Sequence, residues 1–361
     1  MSTSDFEQKE ACGPDVENAC LLLQQILQLY KEIGPESMES LASSYLAEPP
    51  TSDSAKDPAE AIMAEAFEVF DSATDSVLRT FAARLGFDLS DAPAYQRRRD
   101  EGYFWVMYPV LVMYVVWLDQ EGEGKALENL EGIFSSTTFG TAGYVMLDSN
   151  LDEEKENPAE ILLSLSFIQE HERLLLDVFG FTAADYELLN RFKQLYLKAE
   201  IKEKRLRFVR SPYTKDHPED CGYKAVHAYS PFGILLRRNG KADQIDSYLQ
   251  FLYEWGAPLQ IMDDLIDLEN DLKTGHSSYP TIGFEVELAA QSPSEVAKLI
   301  KSDREHIERL RQVSKGLIES ARNKAAALGA DLMGYFVTIL DSRLDAFYSE
   351  TLRALEQGST S

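Results

Sequence analysis

The chain has 361 residues, 44% of them hydrophobic, with 61 Asp and Glu against 35 Lys and Arg and a formal net charge of −26. So acidic a protein excludes nucleic acid and anionic membranes as electrostatic partners, because both repel it. The length and apolar content suffice for one large core, and the 20 Gly and 14 Pro are too few for a loop-rich or modular chain.

In chain order, residues 1–15 are polar and acidic without a basic or apolar leader, and are expected to be a disordered N-terminus rather than a secretory signal. Residues 16–33 carry helical spacing, and 16–60 is expected to be an accessory helical segment, with a loop at 48–57 (EPPTSDSAKD). Apolar residues at helical spacing predict further helices over 36–47, 59–85, 128–147, 159–179, 183–209, 241–272 and 294–356. Few runs alternate with period two, so the expected fold is all-α, a single-domain helical bundle over 16–357 with no sheet. Residues 103–118 are almost wholly apolar, but they are short for a bilayer span and Pro109 interrupts them. They are expected to form a core helix, with no stable membrane insertion. Cys12, Cys20 and Cys221 cannot all pair and lack zinc spacing, which points to a reducing compartment and a cytoplasmic location.

The most informative stretch lies in the predicted helix 241–272. Asp263, Asp267 and Asp271 recur at i, i+4 and i+8 and stack along one helix face, with Asp264 beside them. Tyr248, Leu249, Phe251, Leu252, Tyr253, Trp255 and Leu259 precede them, and Leu265, Ile266 and Leu268 stand between. A carboxylate row buried in such surroundings must be protonated, paired or metallated. Magnesium suits one or two carboxylates plus substrate phosphates. A solvated acidic face is the alternative. Upstream, Asp148 and Asp152 follow an apolar approach at i and i+4. Arg205, Arg207 and Arg210 form a basic cluster, expected mostly to complement a helix dipole, with Arg210 the best of them for an anionic ligand. Arg237, Arg238 and Lys241 flank the helix stop at Asn239-Gly240 and are expected to be surface charge. His171, His227 and His276 are expected to be structural, although His276 follows the acidic helix.

The segment GAPLQIMDDLIDLENDLKTGHSSYPTI resembles the second aspartate-rich motif of class I isoprenoid synthases, especially trans-prenyl diphosphate synthases and the terpene cyclases related to them. The stretch from Gly140 to Glu154 resembles the family's first such motif, and Tyr223 to Gly233 resembles the helix whose lysine contacts diphosphate. The resemblance implies a bundle with a central active-site cavity and magnesium held by Asp148, Asp152, Asp263, Asp264 and Asp267. It further implies an allylic prenyl diphosphate substrate contacted by Lys224, Lys273 and Arg210, and a cavity faced by aromatics including Phe139, Tyr144, Phe167, Tyr229 and Phe232, which shield a carbocation. Such an enzyme works as a monomer or a homodimer. Two departures favour cyclisation over chain elongation. Ser149 stands where a second aspartate is usual, and EEKENP replaces the Arg-Arg-Gly that normally follows. The usual Gly-Lys-Arg of an isopentenyl diphosphate pocket is also altered, since Arg97, Arg98 and Arg99 precede Asp100-Glu101-Gly102. The expected activity is a terpene synthase, with a trans-prenyl diphosphate synthase as alternative and a non-catalytic helical subunit as a third possibility.

Overall fold

The computed structural model describes residues 14–28, 31, 58–100, 129–152, 157–180, 182–207, 209–329 and 331–357. The regular elements among them are all helical, with no strand among the described residues, so the all-α class is observed. The helices expected at 36–47 and 103–118, the loop at 48–57 and residues 1–13 lie outside the described residues. Among the described residues no helix is long and apolar enough to cross a membrane. The chain divides into two compact units, Met1–Phe181 and Thr182–Ser361.

In the first unit, helix α1 covers 14–28, α2 Pro58–Arg84, α3 Pro93–Asp100, α4 Leu130–Asp152 and α5 Pro158–Phe179, with a 3-10 turn at Leu89–Asp91. Helix α5 starts where the Asn157 side chain accepts from the Ala159 and Glu160 amides, with Pro158 in the first turn, and stops at Gly180 in the left-handed region (φ 58). Its apolar face joins that of α2, α3 and α4 in a core of Leu78, Ala82, Tyr95, Phe139, Met146, Leu163 and Phe167. Each such large side chain contributes roughly 1.5–3 kcal/mol on burial. Gly143 sets the closeness of α4 to α5, because a Cβ there would lie 2.8 Å from Ile168 Cγ1 and 3.0 Å from the Ser164 carbonyl oxygen. Buried Glu160 on α5 accepts from the Ala94 amide of α3 at 3.1 Å and from Asn157 Nδ2 at 3.1 Å, so its charge is spent on a helix start. Helix α4 runs past its expected end at 147, and two of its late polar groups are paired within the unit. Asn150 Nδ2 donates to the Met146 carbonyl at 2.8 Å, and Ser149 Oγ accepts from Arg98 Nε at 2.7 Å.

In the second unit, α6 is Ala183–Leu206, α7 Ser230–Arg238, α8 Ile245–Ile266, α9 Leu268–Lys273, α10 Glu285–Ala290, α11 Pro293–Ser302, α12 Arg304–Ala327 and α13 Asp331–Glu356. Three 3-10 segments lie at Pro218–Tyr229, Ala242–Gln244 and Tyr279–Thr281. Helix α8 is the centre of this unit. It buries Tyr248, Leu249, Phe251, Leu252, Ala257, Ile261 and Leu265 and packs against the Pro218–Tyr229 segment, α12 and α13. The run 294–356, expected as one helical stretch, is three helices, because Asp303 caps α12 through the His306 amide and Gly329 (φ 63) closes it.

Arg237 and Arg238, expected to be surface charge, instead close on Asp185, whose side chain is 0% exposed. Arg237 Nε donates to it at 3.0 Å and Arg238 Nη2 at 3.2 Å, while the carboxylate also accepts from the Thr182 amide at 2.8 Å in a capping box. A carboxylate withdrawn from water needs compensating donors, and the last turn of α7 supplies them to the first turn of α6.

Candidate functional site

The acidic row sits where α8 gives way to α9. Asp267 leaves helical geometry (φ −88, ψ 5) and serves as the last cap of α8 and the first of α9. The 241–272 stretch is therefore not one continuous helix, but the face survives the bend. The Asp267 amide still donates to the Asp263 carbonyl at 2.9 Å and the Asp271 amide to the Asp267 carbonyl at 3.0 Å.

The four aspartates occupy different environments. Asp263 and Asp267 are exposed, Asp271 is half-buried, and Asp264 is only 7% exposed. Asp264 Oδ1 accepts from Gln260 Nε2 at 2.7 Å, and its Oδ2 has no hydrogen-bond partner among the described residues. Burial drives the Asp264 carboxyl well above the usual carboxylate range; Gln260 opposes this, and Asp271, Glu203 and Asp263 reinforce it. Asp271 is pushed up to about 7, first by burial and then by Asp267, Asp263 and Glu203, with Lys224 acting in the other direction.

Glu203 belongs to α6, and the sequence reading missed it. Tyr213 Oη donates to Glu203 Oε2 at 3.3 Å, and Lys224 Nζ lies 3.0 Å from Glu203 Oε1 and 3.4 Å from Glu200 Oε1. A signal for both acids existed. Residues 189, 192, 196, 200 and 203 share one face of α6, and Leu189, Phe192, Tyr196 and Glu200 on it are buried, so a Glu on that apolar face marks a paired charge. The lysine is delivered by the 3-10 segment, which presses onto α8 at Gly222. A Cβ at that position would run into the Tyr253 carbonyl oxygen and lie 2.8 Å from its carbon.

On the far side of α9, Arg207 Nε donates to the Thr274 carbonyl at 2.6 Å, and Thr274 Oγ1 and His276 Nδ1 are 3.0 Å apart. Arg207 thus complements a helix C-terminus, but that of α9 rather than its own. His276 is buried and lowered to about 4 by burial, with Lys204, Arg207 and Lys224 adding to the effect against Glu203, so it is neutral at pH 7.

The remaining expected residues divide between the two units, and some of their side chains lie outside the described residues. Lys273 pairs with Glu269 at 2.7 Å on an exposed face, and Glu269 also accepts from Ser294 Oγ at 2.7 Å. Arg210 is exposed in the turn after α6. In the first unit, Asp148 is half-buried on α4, and Asp152 ends that helix with its side chain outside the described set. Phe139 and Phe167 pack ring to ring at 5.6 Å and Phe81 at 5.0 Å from Phe139, while Tyr144 is buried on α4. The side chains of Tyr229 and Phe232 lie outside the described residues, as does that of His227. His171 Nδ1 lies 2.9 Å from Ser136 Oγ.

Among the described residues, no three His, Cys, Asp or Glu side chains are arranged to hold a metal ion. The donor chemistry nonetheless suits magnesium, because Asp263, Asp264, Asp267 and Asp271 offer hard carboxylate oxygens, and one of them, Asp264 Oδ2, is buried with no hydrogen-bond partner among the described residues. No protein-family model, curated protein or solved structure matches this chain.

Proposed function

We propose that the chain is a magnesium-dependent class I terpene synthase, which ionises an allylic prenyl diphosphate, cyclises the carbocation and releases diphosphate. The observation that carries this is Asp264, a carboxyl buried at the end of an apolar helix with one oxygen lacking a donor, beside Asp263, Asp267 and Asp271 and across from Lys224. A buried acidic group without a counter-charge only lowers stability unless a cation uses it. Bound by Asp263, Asp264 and Asp267, magnesium supplies Lewis-acid charge for the departing diphosphate. The chain's own residues do the rest. Lys224 meets the diphosphate, the apolar body of α8 excludes water, and neutral His276 adds no competing positive charge. Asp148, Asp152, Lys273, Arg210 and the aromatics Phe139, Tyr144, Phe167, Tyr229 and Phe232 enter the proposal from sequence alone.

Cyclisation is favoured over chain elongation by the arginines of α3. Arg98 is engaged by Ser149, and Arg99 by Asp75 at 2.6 Å and Asp71 at 3.6 Å, so neither stands ready for a second diphosphate. The test is incubation of the purified protein with magnesium and geranyl, farnesyl, geranylgeranyl or geranylfarnesyl diphosphate, with and without isopentenyl diphosphate. Hydrocarbon or alcohol products without isopentenyl diphosphate support the proposal. Longer prenyl alcohols after phosphatase treatment identify a synthase instead, and absence of any product identifies a non-catalytic subunit.

A further inference from the structure

Helix α6 turns one side inward, burying Leu189, Phe192 and Tyr196. On the opposite side Leu197 is 42% and Ile201 51% exposed, and Val209, in the turn that follows the helix, is 71% exposed. Lys198, Lys202 and Arg205 are exposed beside them. At about 100° per residue the five helical positions fall within an arc of about 140°, so they form one face. The three cations make no ion pair or hydrogen bond among the described residues, whereas exposed Arg173, Arg191 and Arg322 each hold a carboxylate. In a chain with 61 acidic and 35 basic residues, unpaired cations on adjacent turns are a departure, since like charges one turn apart weaken a helix. The helix dipole accounts for Arg205 in the last turn. It accounts neither for Lys198, about two turns earlier, nor for the exposed Leu197 and Ile201.

We propose that this face is a docking site for an acidic amphipathic helix of a partner protein, whose apolar side chains cover Leu197 and Ile201 while its Asp and Glu pair with Lys198, Lys202 and Arg205. Charge complementarity selects the occupant. The net charge of −26 repels an extended polyanion, such as nucleic acid or an anionic bilayer. A short acidic helix brings few charges and feels mainly the local cations, because salt screens charges beyond about 8 Å at physiological strength. A small free anion needs the cations but has no use for the apolar pair. The face from 197 to 209 runs about 18 Å, the length of about 12 helical residues. Its apolar positions at i and i+4 match the spacing by which amphipathic helices are read. So small a contact makes a transient complex, with a dissociation constant on the order of micromolar. None of these residues belongs to the metal or diphosphate set, so the site is independent of the terpene synthase proposal.

The test uses the full chain and a fluorescent synthetic helix of about 15 residues with Leu on one face and Glu on the other, beside a twin carrying Lys in place of Glu. Anisotropy is expected to show saturable binding of the Glu helix, weakened about tenfold or more when salt is raised to about 0.5 M. Lys198→Glu/Lys202→Glu is expected to lose the Glu helix by about tenfold or more and to gain the Lys helix, since two attractions become two repulsions. Leu197→Ser/Ile201→Ser is expected to weaken the Glu helix by a similar factor. All four side chains are exposed, and circular dichroism verifies the fold of each variant. Where a double variant fails to fold, the single variants Lys198→Glu and Leu197→Ser give the same ordering at smaller amplitude. Failure of the parent to bind the Glu helix overturns the proposal, as does binding that survives either double variant. Binding of the parent to phosphatidylglycerol vesicles, lost on charge reversal, overturns it in favour of a membrane surface. Dimerisation in sedimentation equilibrium that the same reversal abolishes overturns it in favour of a second copy of the chain.

Discussion

Replacing Asp271 by Asn tests the electrostatics of the acidic turn without touching the exposed pair Asp263 and Asp267. The Asp271 carboxyl is raised from 3.8 to about 7, a rise of about three pH units, and each unit corresponds to about 1.4 kcal/mol. The sign follows from proton counting. Between pH 3.8 and about 7 the folded protein holds this proton and the unfolded chain does not, so stability falls as pH rises through that window. Below it both states are protonated and Asp271 contributes nothing. Above it the folded state carries the full penalty, about 4 kcal/mol at most, with about half of that expected once water around a half-buried side chain screens the charge. Asn keeps the shape and removes the charge. Asp271→Asn should therefore raise stability at pH 8 by about 2–4 kcal/mol and leave it unchanged near pH 3.5. Urea unfolding followed by far-ultraviolet circular dichroism at both pH values gives the difference directly. A variant that is less stable at pH 8, or whose effect is the same at both pH values, refutes the account of a strained acidic cluster.

Asp185 should respond with the opposite sign. Its burial opposes ionisation, but Arg237, the Thr182 donors and Arg238 prevail and hold it at about 2, so it stabilises the fold above pH 3.8 and that contribution fades as pH falls toward 2. Asp185→Ala should cost about 3–5 kcal/mol at pH 7, because two arginines and a helix start lose their partner; a loss under about 1 kcal/mol in urea unfolding would mean the clamp is not formed. Asp263→Ala and Asp267→Ala should abolish product formation from allylic diphosphates while circular dichroism stays at the parent value, and full turnover in either removes that residue from the metal set. Asp148→Asn should lower turnover far more than Asp119→Asn, a change at the acid that directly follows the apolar run 103–118 in the sequence, and the reverse ranking would relocate the upstream motif. Gly222→Ala should destabilise the second unit by about 1–3 kcal/mol through the clash with Tyr253. It should also weaken pyrophosphate binding with magnesium, and calorimetry on the refolded variant shows whether Lys224 depends on that contact.

The sequence alone determined the helical class and the position of several helix boundaries, since apolar spacing, the Asn157-Pro158 start and the Gly180 stop act over a few neighbouring residues. It likewise placed carboxylates on an apolar helix before any coordinate was known, because a charge among Leu, Ile and Tyr is conspicuous in a linear string. What it left open depended on partners distant in the chain. That Asp264 turns inward while Asp263 and Asp267 face water follows from which side of α8 meets the Pro218–Tyr229 segment. The burial of Asp185 by Arg237 and Arg238, residues that look like surface charge beside a Gly stop, is decided by the docking of α7 on α6. Glu203 and Lys224 meet across an intervening loop, and their pairing required the close approach that Gly222 permits. Local propensity fixes which residues form helices, while the desolvation and pairing of each charge depend on surfaces that exist only once those helices have packed.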